Sequence, residues 1–318
     1  MMVRHSSMRV VLAAVVMATA SVSAGGPAGQ TPAQPPPAAA PPDFSKVEIK
    51  TTKLLPNFSV LEGQGGAIGV LAGPDGVLMV DSQFAPLTDK IVAAIKQISD
   101  RPIRFLVNTH VHGDHTGGNE NLGKMGVTIL ARDQLRARLE APATGPKAAT
   151  AALPLITYRG PLTFHMNGSD VQLIPVPVAH TDGDTMVAVG PPGFTGSPDV
   201  IMTGDFFRSV GYPNIDRANG GTLKGLLEGF TAVINLAGPA TKIVPGHGPI
   251  VDKGGVAAHR DMAVAIRDRV AALVQQGKTA EEVVAAKPTS EYDARVPQAA
   301  QTSDRFVGQL YAEIKGAR

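Results

Sequence analysis

The sequence predicts a layered α/β domain, and three observations carry that expectation. Short apolar runs near 58–62, 66–72 and 76–81 have the length of strands and the spacing of hairpins. Later strand-like runs alternate with segments of helical period, which suits sheets covered by helices. Several of those runs end directly in a histidine or an aspartate.

The elements follow in order. Asp81 closes the third run, and a helix is expected over 87–98. A strand over 103–108 leads into the run His110-Val111-His112-Gly113-Asp114-His115. Thr116-Gly117-Gly118-Asn119 then opens a short helix, with Thr116 as its expected cap. A strand at 127–131 and a helix at 132–140 come next. Thr150 to Gly160 reads either as a lid or as a passive connection. Strands are expected near 162–166, 170–176, 185–190 and 199–203, then a helix over 222–237 and a strand over 241–244. From Val256 the chain reads as helical. Apolar residues recur at helical spacing from Ala257 to Gln276, Thr279-Ala280-Glu281-Glu282 looks like a helix start, and Ser303 to Lys315 forms a last helix. Such a tail most simply packs on the main domain.

The first 24 residues read as a secretory signal. Arg4 and Arg9 give a basic start, Val10 to Ala20 is a short apolar run, and Val22-Ser23-Ala24 resembles a cleavage site. Residues 25–43 are rich in Pro, Ala and Gly and read as a linker with nothing to bury. Residues 44–318 are long enough for one large domain with a helical tail. The expected location is periplasmic or secreted, with no membrane attachment after cleavage.

Charge narrows the partners. The whole chain carries a formal +2, and loss of Arg4 and Arg9 with the signal leaves a mature chain near neutrality. That gives no electrostatic case for nucleic acid or an anionic membrane. A small-molecule substrate is expected, and the oligomeric state is not legible. The chain has no cysteine, so neither a disulfide nor a thiolate ligand is available.

The run at 110–115 carries the chemistry. Residues two apart in an extended segment project to the same side, so His110 and His112 can reach one metal. Gly113 permits a sharp change of direction, which lets Asp114 and His115 turn toward a second. Three more candidates stand at the ends of strand-like runs: His180 in Val-Ala-His-Thr-Asp, Asp205 in Thr-Gly-Asp-Phe, and His247 in Pro-Gly-His-Gly. Imidazole and carboxylate suit zinc and its neighbours. Five of the eight histidines fall in these patterns; His5, His165 and His259 do not. Asp184 is a candidate to support a ligand imidazole from behind.

These segments, in this order and context, resemble the metallo-β-lactamase-fold superfamily of metal-dependent hydrolases, over roughly residues 47–260. The resemblance implies a four-layer αββα sandwich with the site at one edge. It implies that His110, His112 and His180 hold a first metal, that Asp114, His115 and His247 hold a second, and that Asp205 bridges the two. Two zinc ions are the expected cofactors, with iron or manganese as options. With no cysteine at position 205, the β-lactamase subclasses that need one there are excluded. Another subclass usually has serine at this position. The aspartate resembles the thioesterase and lactonase branches.

The expected function is that of an exported dinuclear hydrolase that turns metal-bound hydroxide on an acyl bond of a lactone, ester, thioester or β-lactam. Asp114 is the expected catalytic residue, as a ligand that also orients the nucleophile. Tyr212, in the loop after Asp205, is a candidate donor to a substrate carbonyl. Two rival activities stay open: a mononuclear iron oxidoreductase of the same superfamily, and a hydroxyacylglutathione hydrolase-like thioesterase. A non-catalytic metal-binding protein is the third reading, and hydrolysis assays discriminate it.

Overall fold

The computed structural model describes residues 43–316. The expected signal segment, and all of the expected linker except Asp43, lie outside the described residues.

Two sheets form the centre. The first contains, in spatial and chain order, β1 (Lys50–Leu55), β2 (Phe58–Glu62), β3 (Ile68–Gly73), β4 (Gly76–Val80), β5 (Ile103–Val107), β6 (Thr128–Arg132) and β7 (Ile156–Tyr158). The second runs β12 (Lys242–Val244), β11 (Val200–Met202), β10 (Thr185–Gly190), β9 (Ser169–Pro175), β8 (Leu162–Met166). Strands joined by tight turns pair antiparallel, whereas β4 to β7 run parallel, as do β11 and β12. The β8–β9 hairpin turns on Asn167-Gly168, both with positive φ (56° and 72°). This dipeptide suits the tight turn whose twist matches its strands.

Period-two alternation sorts each strand's residues between two cores. Leu78 and Val80 of β4 point between the sheets, with Val60, Val107, Val171, Val187 and Val244. Val77 and Met79 of the same strand point outward, onto Ile91 and Ile95 of α1 (Thr88–Ile98) and Leu122 of α3 (Asn119–Lys124). On the far side Met186, Ile201 and Ile243 meet Phe230 of α5 (Leu223–Leu236), Ile266 of α6 (Lys253–Gln275) and Phe306 of α9 (Ala299–Gly316). Three cores separate four layers, helix–sheet–sheet–helix, as an αββα sandwich requires.

Several boundaries differ from expectation for physical reasons. β1 is an edge strand in which Lys50, Thr51 and Lys53 are exposed, so it lacks an apolar pattern. β7 has only three residues and joins the sheet edge, so Thr150–Gly160 is a connection and not a lid. Thr116 is not a cap: α2 (Gly113–Thr116) ends on it, and its hydroxyl donates to the carbonyls of Val111 and His112. The helix at 119 starts from Gly118 without a side-chain cap. α6 begins earlier than the apolar pattern suggests, because the Asp252 carboxylate accepts from the Gly255 amide. Thr279 and Glu282 form a reciprocal cap on α7 (Ala280–Ala285). Among the described residues, no helix is long and apolar enough to cross a membrane.

His259 on α6 is packed edge-on against the rings of Phe207 and Phe230. Its Nε2 is buried without a hydrogen-bond partner, and burial pushes its pKa from 6.5 down to about 4. The unfolded chain therefore binds a proton here at a higher pH than the folded chain does. Stability must fall as the pH drops from 6.5 toward 4. In urea unfolding at pH 7 and pH 4.5, His259→Leu should lose less stability over that interval than the wild type. An equal loss would mean that His259 is not the group responsible.

Candidate metal centre

The strands deliver their ligands to one edge. β5 ends at Val107, the chain bends through residues 109–111, and His112, with an extended ψ of 148°, precedes the α2 turn. That turn places Asp114 and His115 in the second donor group, with the His115 ring 4.1 Å from that of His110. His180 follows β9, Asp205 follows β11 in a 3-10 turn, and His247 follows β12. Because β11 and β12 are parallel neighbours, their C-terminal loops lie side by side. The approach is close enough that a Cβ at Gly246 would sit 2.0 Å from Asp205 Oδ1, so only glycine fits there.

The candidate residues form two groups. His110, His112, His180 and Asp205 make one, and Asp114, His115, Asp205 and His247 the other; within each group the donor atoms lie within 4.8 Å of one another. His180 Nε2 is 3.0 Å from His112 Nδ1 and 4.0 Å from Asp205 Oδ2. His247 Nε2 is 3.0 Å from Asp114 Oδ2 and 3.2 Å from Asp205 Oδ1, and His115 Nε2 is 3.3 Å from the same Oδ1. Zinc–ligand bonds near 2.0–2.1 Å in a tetrahedron imply donor separations of about 3.3 Å, so these spacings fit.

Orphaned atoms give an independent test. His110 Nε2, His115 Nε2 and Asp205 Oδ1 are buried and have no hydrogen-bond partner in the protein. Buried polar atoms are seldom left so. Three such atoms, all at one place and all good donors to a metal, fit a dinuclear centre.

The other nitrogen of four imidazoles is held from behind. Asp81 accepts from His115 Nδ1 at 2.7 Å and also from the Thr109 amide and hydroxyl. Asp216 pairs with His112 Nε2 at 2.7 Å, and the Asn214 carbonyl with His180 Nδ1 at 2.8 Å. Thr109 Oγ1 lies 3.1 Å from His110 Nδ1. These contacts leave Nε2 of His110, His115 and His180, but Nδ1 of His112, to face the centre. Such partners fix ring orientation and tautomer.

Charges respond to this packing. Burial lowers the pKa of His110 well below its usual value and that of His180 to about 4, keeping both neutral. Burial opposes the charged forms of His115 and Asp205 too, but their mutual attraction and Asp81 overcome it. His115 is raised and Asp205 lowered. Asp216 is lowered by its hydrogen bond from His112.

Two expectations need correction. Tyr212 is fully buried, stacked on Phe306, and its hydroxyl donates to Asp293 Oδ1 at 2.6 Å and lies 3.3 Å from the Thr289 carbonyl. It cannot meet a substrate carbonyl. Asp184 touches no ligand ring; its carboxylate accepts from the amide and hydroxyl of Thr181, holding the turn after His180. Sequence reasoning missed Asp81 and Asp216 as imidazole partners. The only available signal was an acidic residue at a strand end and another in a loop. His165 pairs with Asp170 on the β8–β9 hairpin, outside either donor group.

The chain can now be compared with known proteins. The family model described as the metallo-beta-lactamase superfamily matches residues 62–247. A hydroxyacylglutathione hydrolase from Nitrosococcus oceani is 29% identical over 183 residues, covering 55% of this chain and 60% of that protein. The match thus spans less than two thirds of the relative's length. The structure of a sec-alkylsulfatase from a Pseudomonas species superposes with a TM-score of 0.60 at 15% identity, covering 83% of this chain and 50% of that one. A metallo-beta-lactamase from Pontibacter korlensis superposes at 0.53 with 19% identity, over 67% of this chain and 99% of that one. At these identities the two structures show a shared fold.

Removing the carboxylate behind His112 should loosen the first donor group. Asp216→Ala should weaken metal retention about 10- to 100-fold in a chelator competition; unchanged retention would leave Asp216 a loop residue only. Tyr212→Phe should lower stability by about 1–2 kcal/mol and leave metal retention unchanged. A stability equal to wild type would contradict its buried hydrogen bond.

Proposed function

The chain belongs to the metallo-beta-lactamase superfamily, and on that premise we propose that it is a dinuclear metal-dependent hydrolase of acyl bonds. One observation carries the reading. The two oxygens of Asp205 face different donor groups, Oδ1 toward His115 and His247 and Oδ2 toward His180. A single carboxylate shared in this way would serve two ions. The complete second group weighs against a mononuclear iron oxidoreductase.

The donors are imidazole and carboxylate, which suits zinc and also admits iron or manganese. When bound, such ions polarise a carbonyl and bring the pKa of a bound water toward neutrality. The protein supplies the frame. His110, His115 and His180 are buried and close the floor of the site against bulk water. Asp114 is the more open carboxylate, with 26% of its side chain exposed against 4% for Asp205. Its Oδ2 is directed to His247 and His115, while its Oδ1 makes no hydrogen bond among the described residues. That free oxygen is placed to accept from an incoming water and orient it toward a substrate carbonyl. No cysteine nucleophile is available, since the chain has none.

The substrate class is an activated or cyclic acyl compound: a lactone, ester, thioester or β-lactam. The relative described as a hydroxyacylglutathione hydrolase supports including thioesters. The N-terminal pattern supports export to the periplasm or beyond, and a small-molecule substrate accords with a nearly neutral mature chain.

Protein loaded with zinc should hold two equivalents per chain by elemental analysis. It should hydrolyse at least one of a lactone, an aryl ester, a thioester and a carbapenem, and a chelator should abolish the reaction. Asp114→Asn should lower kcat by about a hundredfold or more. Two bound metals with no turnover of any of the four would overturn the hydrolase reading.

A further inference from the structure

A cavity of about 530 Å³ lies beside His112, between the motif segment, the end of α4 (Asp133–Glu140) with the loop after it, and the loop that carries Asp216. We propose that this cavity receives an uncharged, largely apolar part of the substrate, and that Asp182 sets this preference by neutralising Arg138 on the cavity wall. The proposal deepens the hydrolase reading and rests on it for calling the ligand a substrate.

The surface of the cavity is the first argument. Val111, Leu139, Pro142, Ala143 and Pro146 give it apolar walls. Two polar side chains on the wall are already engaged. The Thr116 hydroxyl donates to the carbonyls of Val111 and His112, and Asn219 Nδ2 donates to Asp216 Oδ2 at 2.6 Å. An apolar group that enters therefore displaces water and breaks neither of these contacts. Because His112 belongs to the first donor group, that group would be held next to the metal centre.

Charge is the second argument. Among the described residues, Arg138 and Asp216 bring the two formal charges that line the cavity. Arg138 is held on every side. Its Nη2 is 2.8 Å from Asp182 Oδ2, its Nε 3.4 Å from Oδ1, and its Nη1 donates to the Ala218 carbonyl at 3.1 Å. The loop folds closely over this pair at Gly220, where φ is 83°. A Cβ there would lie 2.9 Å from Asp182 Oδ2 and 3.1 Å from Arg138 Nη2. Asp216 is held by His112 Nε2 at 2.7 Å, and its Oδ1 accepts from the Asn219 amide at 3.2 Å. Lys147, in the loop after α4, is exposed and is not part of the cavity wall. An anion placed here would meet two carboxylates and a guanidinium that already has its partner. Like charges set together in a binding site reject the wrong ligand. This chemistry favours uncharged esters and lactones within the proposed substrate class.

The test uses two probes of one shape and different charge. Acetanilide is neutral, and 4-acetamidobenzoate adds one carboxylate. Each is titrated calorimetrically into the full-length protein freed of metal, so that the carboxylate cannot bind an ion. Acetanilide should bind at least about tenfold more tightly. Asp182→Asn frees Arg138 to accept a carboxylate, and should shift the ratio at least about tenfold toward the anion. Replacing both partners, Arg138→Leu with Asp182→Leu, should keep the preference for acetanilide. Ala143→Trp, an exposed substitution on the cavity wall, should weaken acetanilide binding about tenfold or more. Three results would each overturn the proposal: acetanilide binding no tighter than the anion in the wild type, a wild-type ratio in Asp182→Asn, or undiminished acetanilide binding by Ala143→Trp. With zinc restored, the ratio of kcat/KM for phenyl acetate over 4-acetoxybenzoate should fall about tenfold in Asp182→Asn. If the zinc-loaded wild type hydrolyses neither ester nor any other acyl substrate, the hydrolase reading fails, while the titration still decides what the cavity binds.

Discussion

The centre depends on one carboxylate being reachable from two sides. Two dications held a few Å apart by these donor groups would repel by on the order of 10 kcal/mol even at an effective dielectric constant near 20. A shared anion would have to offset that, and Asp205, which belongs to both candidate groups, is placed to do so. Its position is a product of topology. Parallel β11 and β12 end together, and glycines at 204 and 246 let their loops pass closely, Gly204 with a φ of 56°. A side chain at 246 would occupy the space of the carboxylate itself. The imidazoles on either side come from other strands, so the sheets must be in register before the centre can exist.

The second requirement is orientation. An imidazole has two nitrogens, and only one can serve a metal. The structure settles the choice by engaging the other: Asp81 for His115, Asp216 for His112, Asn214 for His180. Asp81 takes a left-handed backbone conformation, with φ 62°, and its carboxylate also receives the Thr109 amide. A short-chain acidic residue tolerates that conformation better than most. The carboxylate thereby joins the end of β4 to the segment that carries His110. Arg208 brings a guanidinium to 3.6 Å from Asp205 Oδ2.

The candidate donor residues were legible because their signals are local. Three histidines and an aspartate in six positions need no tertiary information, and His180, Asp205 and His247 each end a strand-like run. Most strands and long helices were legible for the same reason, since burial on one face imposes a period. What was not legible depends on distant contacts. β1 is polar and exists by pairing with β2. Asp216 lies 104 residues from the His112 ring it holds, in a loop whose path no period encodes. Tyr212 was misjudged because a tyrosine in a loop near the ligands reads equally as pocket wall or as core. The α8 segment (Ser290–Asp293) that buries it is far along the chain.

That last contact changes how the tail is to be understood. The loop from 211 to 221 carries Asn214 and Asp216, both fastened to ligand imidazoles on one side. On its other side it is fastened to the tail: Tyr212 to Asp293, Ile215 and Asn214 to Gln309, and the Gly211 amide to the Pro297 carbonyl. The loop is thus a bridge between the candidate ligands and helices that lie beyond the family match. Without the tail, the sandwich would still present its strand-end ligands. The partners of His112 and His180, however, would sit on a loop with fewer constraints, and ring orientation would cost conformational entropy at each binding event. The tail is therefore linked to the candidate ligands through hydrogen bonds to a loop, and it supplies no residue to either donor group.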